Sequence, residues 1–159
     1  MVQALPDHDR ALAEAVAQCP VVTGFALTDA PNGVRPLLKA SVASAGDDPR
    51  PYVAELHGAV ATLSPIEAAA MGNGHVNLLA ERDGIVRRIP LFLRVGETLY
   101  PSLVAESLRV VQWASTYVVK SSGGSGESGF GEHTGLSSIK VGSAVVPTDQ
   151  SRPRIPRCR

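Results

Sequence analysis

The sequence predicts an α/β fold: a single domain with a central mixed sheet that includes hairpins, flanked by helices near 6–18, 65–71 and 101–112. Three observations predict it. From Gly74 to Val111 (GHVNLLAERDGIVRRIPLFLRVGETLYPSLVAESLRVV), strand, turn and helix signals follow one another without a gap. A helical pattern stops at Pro20 and runs directly into PVVTGFAL, an apolar run of strand length. Of the 159 residues, 19% are charged and 4% aromatic, which suits a small-side-chain core rather than a disordered chain. That length can bury a full core without metal or disulfide support.

Residues 6–18 read as an amphipathic helix with Asp7 or Asp9 as N-cap and Leu12, Ala15, Val16 and Cys19 on one stripe. Cys19 is then a small buried hydrophobe. The run from Pro20 to Leu27 suits a strand covered on both faces. Residues 28–52 carry four prolines and two Asp/Asn-rich turns, so a long surface excursion is expected, of a kind that often serves binding. Gly58 argues against a helix over Val53–Leu63, and a strand is placed near Ala59–Leu63.

Ser64-Pro65-Ile66-Glu67 has the form of a capping box, with Pro65 at the first position of a helix ending near Met71. His75–Leu79 and Ile85–Val95 then read as strands around an Asp83-Gly84 turn, since Gly84 tolerates positive φ. A second turn at Gly96-Glu97 leads to a short strand. Pro101, in Tyr100-Pro101-Ser102, opens a helix to about Gln112. Ser115–Lys120 reads as a strand and 121–135 as a Gly/Ser-rich loop. Ser138–Val141 and Ala144–Val146 form a hairpin through Gly142-Ser143. The domain spans 1–149, and the proline-interrupted basic tail 150–159 is expected to be disordered.

Fifteen basic residues balance fifteen acidic ones, leaving no cationic field for nucleic acid or an anionic membrane surface. Cys19 and Cys158 form neither a disulfide framework nor a zinc cluster. No apolar run reaches the roughly 18 residues of a membrane span, and the N-terminus lacks the pattern of an export signal. Gly124 to Gly129 (GSGESG) satisfies G-x-G-x-x-G, but no helix follows to receive a pyrophosphate. Asp7, Asp9, His8, His57, His75 and His133 lack metal-ligand spacing, and no serine sits in G-x-S-x-G. No metal, cofactor or catalytic residue is therefore assigned.

Arg87 and Arg88 stand out, because adjacent strand residues point to opposite faces and one guanidinium should project toward whatever covers the sheet. The structural reading pairs an arginine with Asp83 or Glu81. The sharper one makes Arg87 and Arg88 a ligand-binding pair for an anionic group.

Leu12-Ala13 after an Asp-rich start, the strand Val21–Leu27, then Gly74-His75-Val76-Asn77, Asp83-Gly84-Ile85-Val86-Arg87-Arg88-Ile89-Pro90-Leu91 and Tyr100-Pro101-Ser102-Leu103 together resemble the CHASE family of sensory domains, in its second type. The likeness runs over about residues 7 to 149 and closes with Ile139-Lys140-Val141-Gly142 and Val146-Pro147-Thr148-Asp149. Within it Asn77, Asp83, Gly84, Pro101 and Ser102 are motif residues of structural character. The resemblance implies an extracytoplasmic, non-enzymatic input domain of a bacterial inner-membrane receptor, held by flanking membrane segments and coupled to a cyclase or kinase output. Its signal would be a small molecule or a protein partner, with a homodimer as one arrangement. It also implies an additional strand before the first helix and another after Asp149, so the chain is expected to be trimmed at one or both ends. A small α/β enzyme with a dispersed site and a structural dimerisation spacer are the alternatives.

Overall fold

The computed structural model describes residues 7–79, 83–121 and 135–148, and these are mixed α/β as the sequence predicts. The central sheet, however, is divided into three small mixed sheets. The Gly124–Gly129 motif, Glu81, His133 and the tail lie outside the described residues.

Helix α1 (His8–Val16) is capped by Asp7, whose Oδ1 accepts from the Arg10 amide at 3.0 Å. It rests on α2 (Ser64–Ala69), a helix too short to sheath its apolar stripe. None of α1 is buried, and Cys19 is exposed, so the expected burial of that stripe is overturned. The capping box is overturned too: no side chain caps α2, and Glu67 turns into the interior.

Strand β1 (Val22–Thr28) lies mid-sheet between β4 (Gly58–Val60), antiparallel, and β5 (Gly72–His75), parallel. Its burial alternates, with Phe25 and Leu27 inside and Gly24 exposed, so it is not covered on both faces. A second sheet runs β10-β9-β8-β2, where β2 is Ser41–Ala45, β8 Thr116–Ser121, β9 Leu136–Val141 and β10 Ala144–Pro147. Its hairpin turns at Gly142-Ser143 as expected. Strand β2 was not expected. It is a short edge strand recruited in parallel by β8 from the 28–52 excursion, which also holds a single 3-10 turn over Arg50–Tyr52. The third sheet is β3 (Glu55–Leu56), β6 (Phe92–Val95) and β7 (Thr98–Pro101), with Gly96 at φ 58° in the predicted turn.

The long strand expected over 85–95 is real only from Phe92 onward, and the strand expected at 75–79 ends at His75. The Asp83-Gly84 turn forms, with Gly84 at φ 80° and the Ile85 amide donating to Asp83 Oδ1 at 3.0 Å. It joins no pair of strands. The strand placed near Ala59–Leu63 falls earlier, in β3 and β4. Helix α3 (Leu103–Val111) starts two residues later than expected: Pro101 closes β7 opposite Phe92, and Ser102 is the N-cap, its Oγ accepting from the Ala105 amide at 3.2 Å.

Two apolar clusters form the core. Phe25, Leu27, Leu56, Leu93, Val95 and Tyr100 bind the first sheet to the third, with Phe25 and Tyr100 meeting edge to face at 5.6 Å. Phe92, Ala105, Tyr117, Val119, Ile139 and Val141 bind α3 and β6 to the four-stranded sheet, and here Phe92 meets Tyr117 at 5.2 Å and 90°. Between the first and third sheets lies a single parallel bridge, His75 to Ser102.

Asn77 carries on the pairing of β5 after its backbone has turned away. Its Oδ1 accepts from the Leu27 amide at 2.8 Å and its Nδ2 donates to the Leu27 carbonyl at 2.7 Å. Asn77→Ala removes both partners, and a loss of about 1–3 kcal/mol in urea denaturation is expected. Asn77→Asp, which keeps only the acceptor, should fall between. A loss of under about 0.5 kcal/mol for the alanine variant would mean that water replaces the amide.

Candidate functional site

An open cleft of ≈ 340 Å³ lies where the 38–50 segment faces the β6–β7 turn. Leu38, Val42 and Leu99 give it apolar wall; Ser44, Arg50 and Glu97 are among its polar groups. Strand β2 reaches it because β8 holds that strand at the sheet edge. Glu97 and Leu99 reach it because Gly96 permits the tight turn between β6 and β7. The cleft therefore has one wall on the four-stranded sheet and one on the third sheet.

Its charges are organised by Arg50. The guanidinium Nε lies 2.8 and 2.9 Å from the two Asp48 carboxylate oxygens, and Nη1 donates to Glu97 Oε2. The Arg50 side chain, with its amide, holds the Asp48 carboxyl below its ordinary range, while the same pairing raises Arg50. Two carboxylates on one guanidinium leave the rim with one net negative charge. An apolar wall under such a rim suits a small amphipathic molecule with a hydrogen-bonding or cationic end.

In the core is a polar network. Glu106 is fully buried on α3. Its Oε1 accepts from Arg109 Nη2 at 2.8 Å and from the Asn73 amide at 3.2 Å. Its Oε2 accepts from Arg109 Nε at 2.9 Å and from the Tyr117 hydroxyl. Arg109 also donates to the carbonyls of Met71 at 2.7 Å and Ala114 at 2.9 Å. Burial, then the bond to Glu106, pushes the Tyr117 hydroxyl far up, while Glu106 raises Arg109. Asn73 links this network to the 28–52 segment, donating to Glu67 Oε1 at 2.6 Å and to the Leu37 carbonyl at 3.1 Å. Glu67 in turn accepts from the Leu37 amide at 2.9 Å. One connected set of bonds thus runs from Leu37 through β5 and α3 to β8.

A CHASE2 domain family model matches residues 2–156. The chain belongs to the CHASE2 domain family. CHASE2 domains are extracytoplasmic sensory parts of membrane receptors, sensory rather than catalytic. No curated protein and no solved structure matches the chain. Among the described residues no helix is long and apolar enough to cross a membrane, and no cluster of three His, Cys, Asp or Glu is placed to hold a metal ion.

Within this CHASE2 domain the residues singled out by sequence are scattered. Arg87 and Arg88 lie on the exposed 83–89 segment, outside the cleft and outside any strand, so neither projects from a sheet face. Arg87 Nη2 pairs with Asp83 Oδ2 at 2.8 Å, as the structural reading supposed, and Arg87 holds the Asp83 carboxyl below its usual range. Asn77, Asp83, Gly84, Pro101 and Ser102 shape the pairing, the turn, the strand end and the helix cap. Sequence reasoning missed Asp48 and Arg50, a local pair two residues apart, and Glu97, which joins them from 47 residues away. It also missed Glu106 and Arg109, for which a signal existed: two charges three apart in an otherwise apolar helix share one face.

Proposed function

We propose that this CHASE2 domain senses a small amphipathic molecule in the cleft between the 38–50 segment and the β6–β7 turn, and that the full receptor couples it to a cyclase or kinase output. The carrying observation is the cleft's construction from two different sheets. A ligand that binds one spacing of the walls better than another shifts their relative position, which is all a receptor requires. The exposed segment bearing Arg87 and Arg88 is proposed as a secondary contact for an anionic group or partner protein.

A thermal-shift screen of small amines, amino acids and short amphipathic acids tests the cleft. A ligand at about 100 times its Kd adds about 2.7 kcal/mol, which raises Tm by several degrees in a domain of this size. Ser44→Trp fills the cleft and should abolish that rise while leaving the basal Tm near its starting value. Equal shifts in both proteins would place the ligand elsewhere, and Arg87→Ala and Arg88→Ala would then be the variants to compare.

One observation favours the dimerisation spacer as a second reading. Both charges of α3 turn inward, so Val104, Val111 and Trp113 remain exposed on an uncharged surface, Trp113 at 77%. A concentration-dependent mass in sedimentation, abolished by Val111→Glu, is the result this reading requires.

A further inference from the structure

His75 ends β5 at the only bridge between the first and third sheets among the described residues, and it is 1% exposed. Neither Nδ1 nor Nε2 has a hydrogen-bond partner. A buried imidazole always carries one N–H and, when neutral, one acceptor, so both are left unsatisfied at this joint. Its neighbours offer no counter-charge. Strand β1, paired beside it, contains no titratable residue, and β7 contributes Tyr100 alone. On α3, Glu106 is committed to Arg109, Tyr117 and the Asn73 amide. On α2, Glu67 is committed to Asn73 and the Leu37 amide. Arg35, like Glu67, is felt at Tyr100 and not at the imidazole.

We propose that His75 is an acid-responsive latch: protonation of the imidazole parts the β5–β7 joint, so the domain also reports external acidity. The imidazolium needs two hydrogen-bond acceptors, and no described protein group supplies one to either ring nitrogen while the joint is closed. Opening the His75–Ser102 bridge would expose the ring to solvent, and it frees the N-cap of α3. Burial alone lowers the His75 pKa from 6.5 to about 4. The closed joint is therefore favoured above the ordinary pKa and loses that preference as pH falls from about 6.5 to about 4. This goes beyond the cleft reading and stands whether or not the cleft binds a ligand.

Amide hydrogen exchange of the chain between pH 7.5 and pH 4, corrected for the intrinsic rate, tests the latch. The Val76 amide, bonded to Phe25, and the Ser102 amide, bonded to Leu91, report on the joint. Their protection should fall about 100-fold by pH 4, the factor set by the separation of the two pKa values. The β8–β9 amides should keep theirs, and His75→Phe should abolish the fall. An equal fall in the phenylalanine variant, or an equal loss across β8–β9, would overturn the proposal. Should that variant not fold, NMR of the unmodified protein decides: loss of Val76 and Ser102 amide protection with the same midpoint as the imidazole titration supports the latch, and protection that survives protonation of the imidazole overturns it.

Discussion

Glu106→Ala is expected to lower the unfolding free energy by about 3–5 kcal/mol, the cost of stranding a buried charge. The carboxylate is the shared acceptor for Arg109, Tyr117 and the Asn73 amide, and nothing else on α3 can replace it. Arg109, 7% exposed in its side chain, would keep its bonds to the Met71 and Ala114 carbonyls but lose its counter-charge. Removing the pair together should hurt less. Glu106→Leu with Arg109→Met removes both charges of the pair and strands neither, so the double variant is expected to be more stable than Glu106→Ala alone. Tyr117→Phe removes one hydroxyl and should cost about 1–2 kcal/mol. Urea denaturation of the set decides it. A loss below about 1 kcal/mol for Glu106→Ala would mean that water reaches the site and that the network is not a closed unit.

Gly74→Ala is expected to cost about 1–3 kcal/mol and to push α3 away from β5. A Cβ there would lie 2.7 Å from the Leu103 amide nitrogen, the Leu103 Cα and the Ser102 carbonyl carbon, all backbone atoms that cannot rotate aside. Gly72 gives the contrast. Its added Cβ would meet Glu106 Cγ at 2.9 Å and Val110 and Val22 Cγ2 at 3.0 Å, which are side-chain rather than backbone atoms, although Glu106 is held by its hydrogen bonds. Gly72→Ala should therefore be the milder change. Equal and small losses for the two variants would show that α3 is free to lift, and that the close seat of its N-terminus on β5 is not required.

Much of the fold was legible because it is local. The turns at Gly96-Glu97 and Gly142-Ser143, the strand at 115–120 and the three helices each rest on residues within one turn or one hairpin. The errors come where a partner decides. Ile85 to Leu91 has strong β propensity, yet Pro90 removes an amide and no strand among the described residues pairs with it, so the run stays irregular until Phe92. Ser41–Ala45 has no such propensity and is a strand because β8 offers an open edge. Glu67 had the spacing to cap α2, but Asn73 and the Leu37 amide hold it in the core instead. Cys19 had the periodicity of a buried residue on a helix that covers too little surface to bury it.

The candidate site was less legible for the same reason. Asp48 and Arg50 pair locally, but Glu97 meets them only because the 38–50 segment and the β6–β7 turn face each other across two sheets. The family resemblance was carried by short motifs in order, and those motifs are mostly scaffold: a strand-extending Asn77, a turn at Asp83-Gly84 and a cap at Ser102. Local signals in the chain carry the α/β class, the helices, the two tight hairpins and the family. Long-range packing sets the division into three sheets, the cleft and the inward turn of Glu67 and Glu106. Short-range torsional and capping preferences are written residue by residue, whereas burial and charge pairing depend on which distant segments the fold brings into contact.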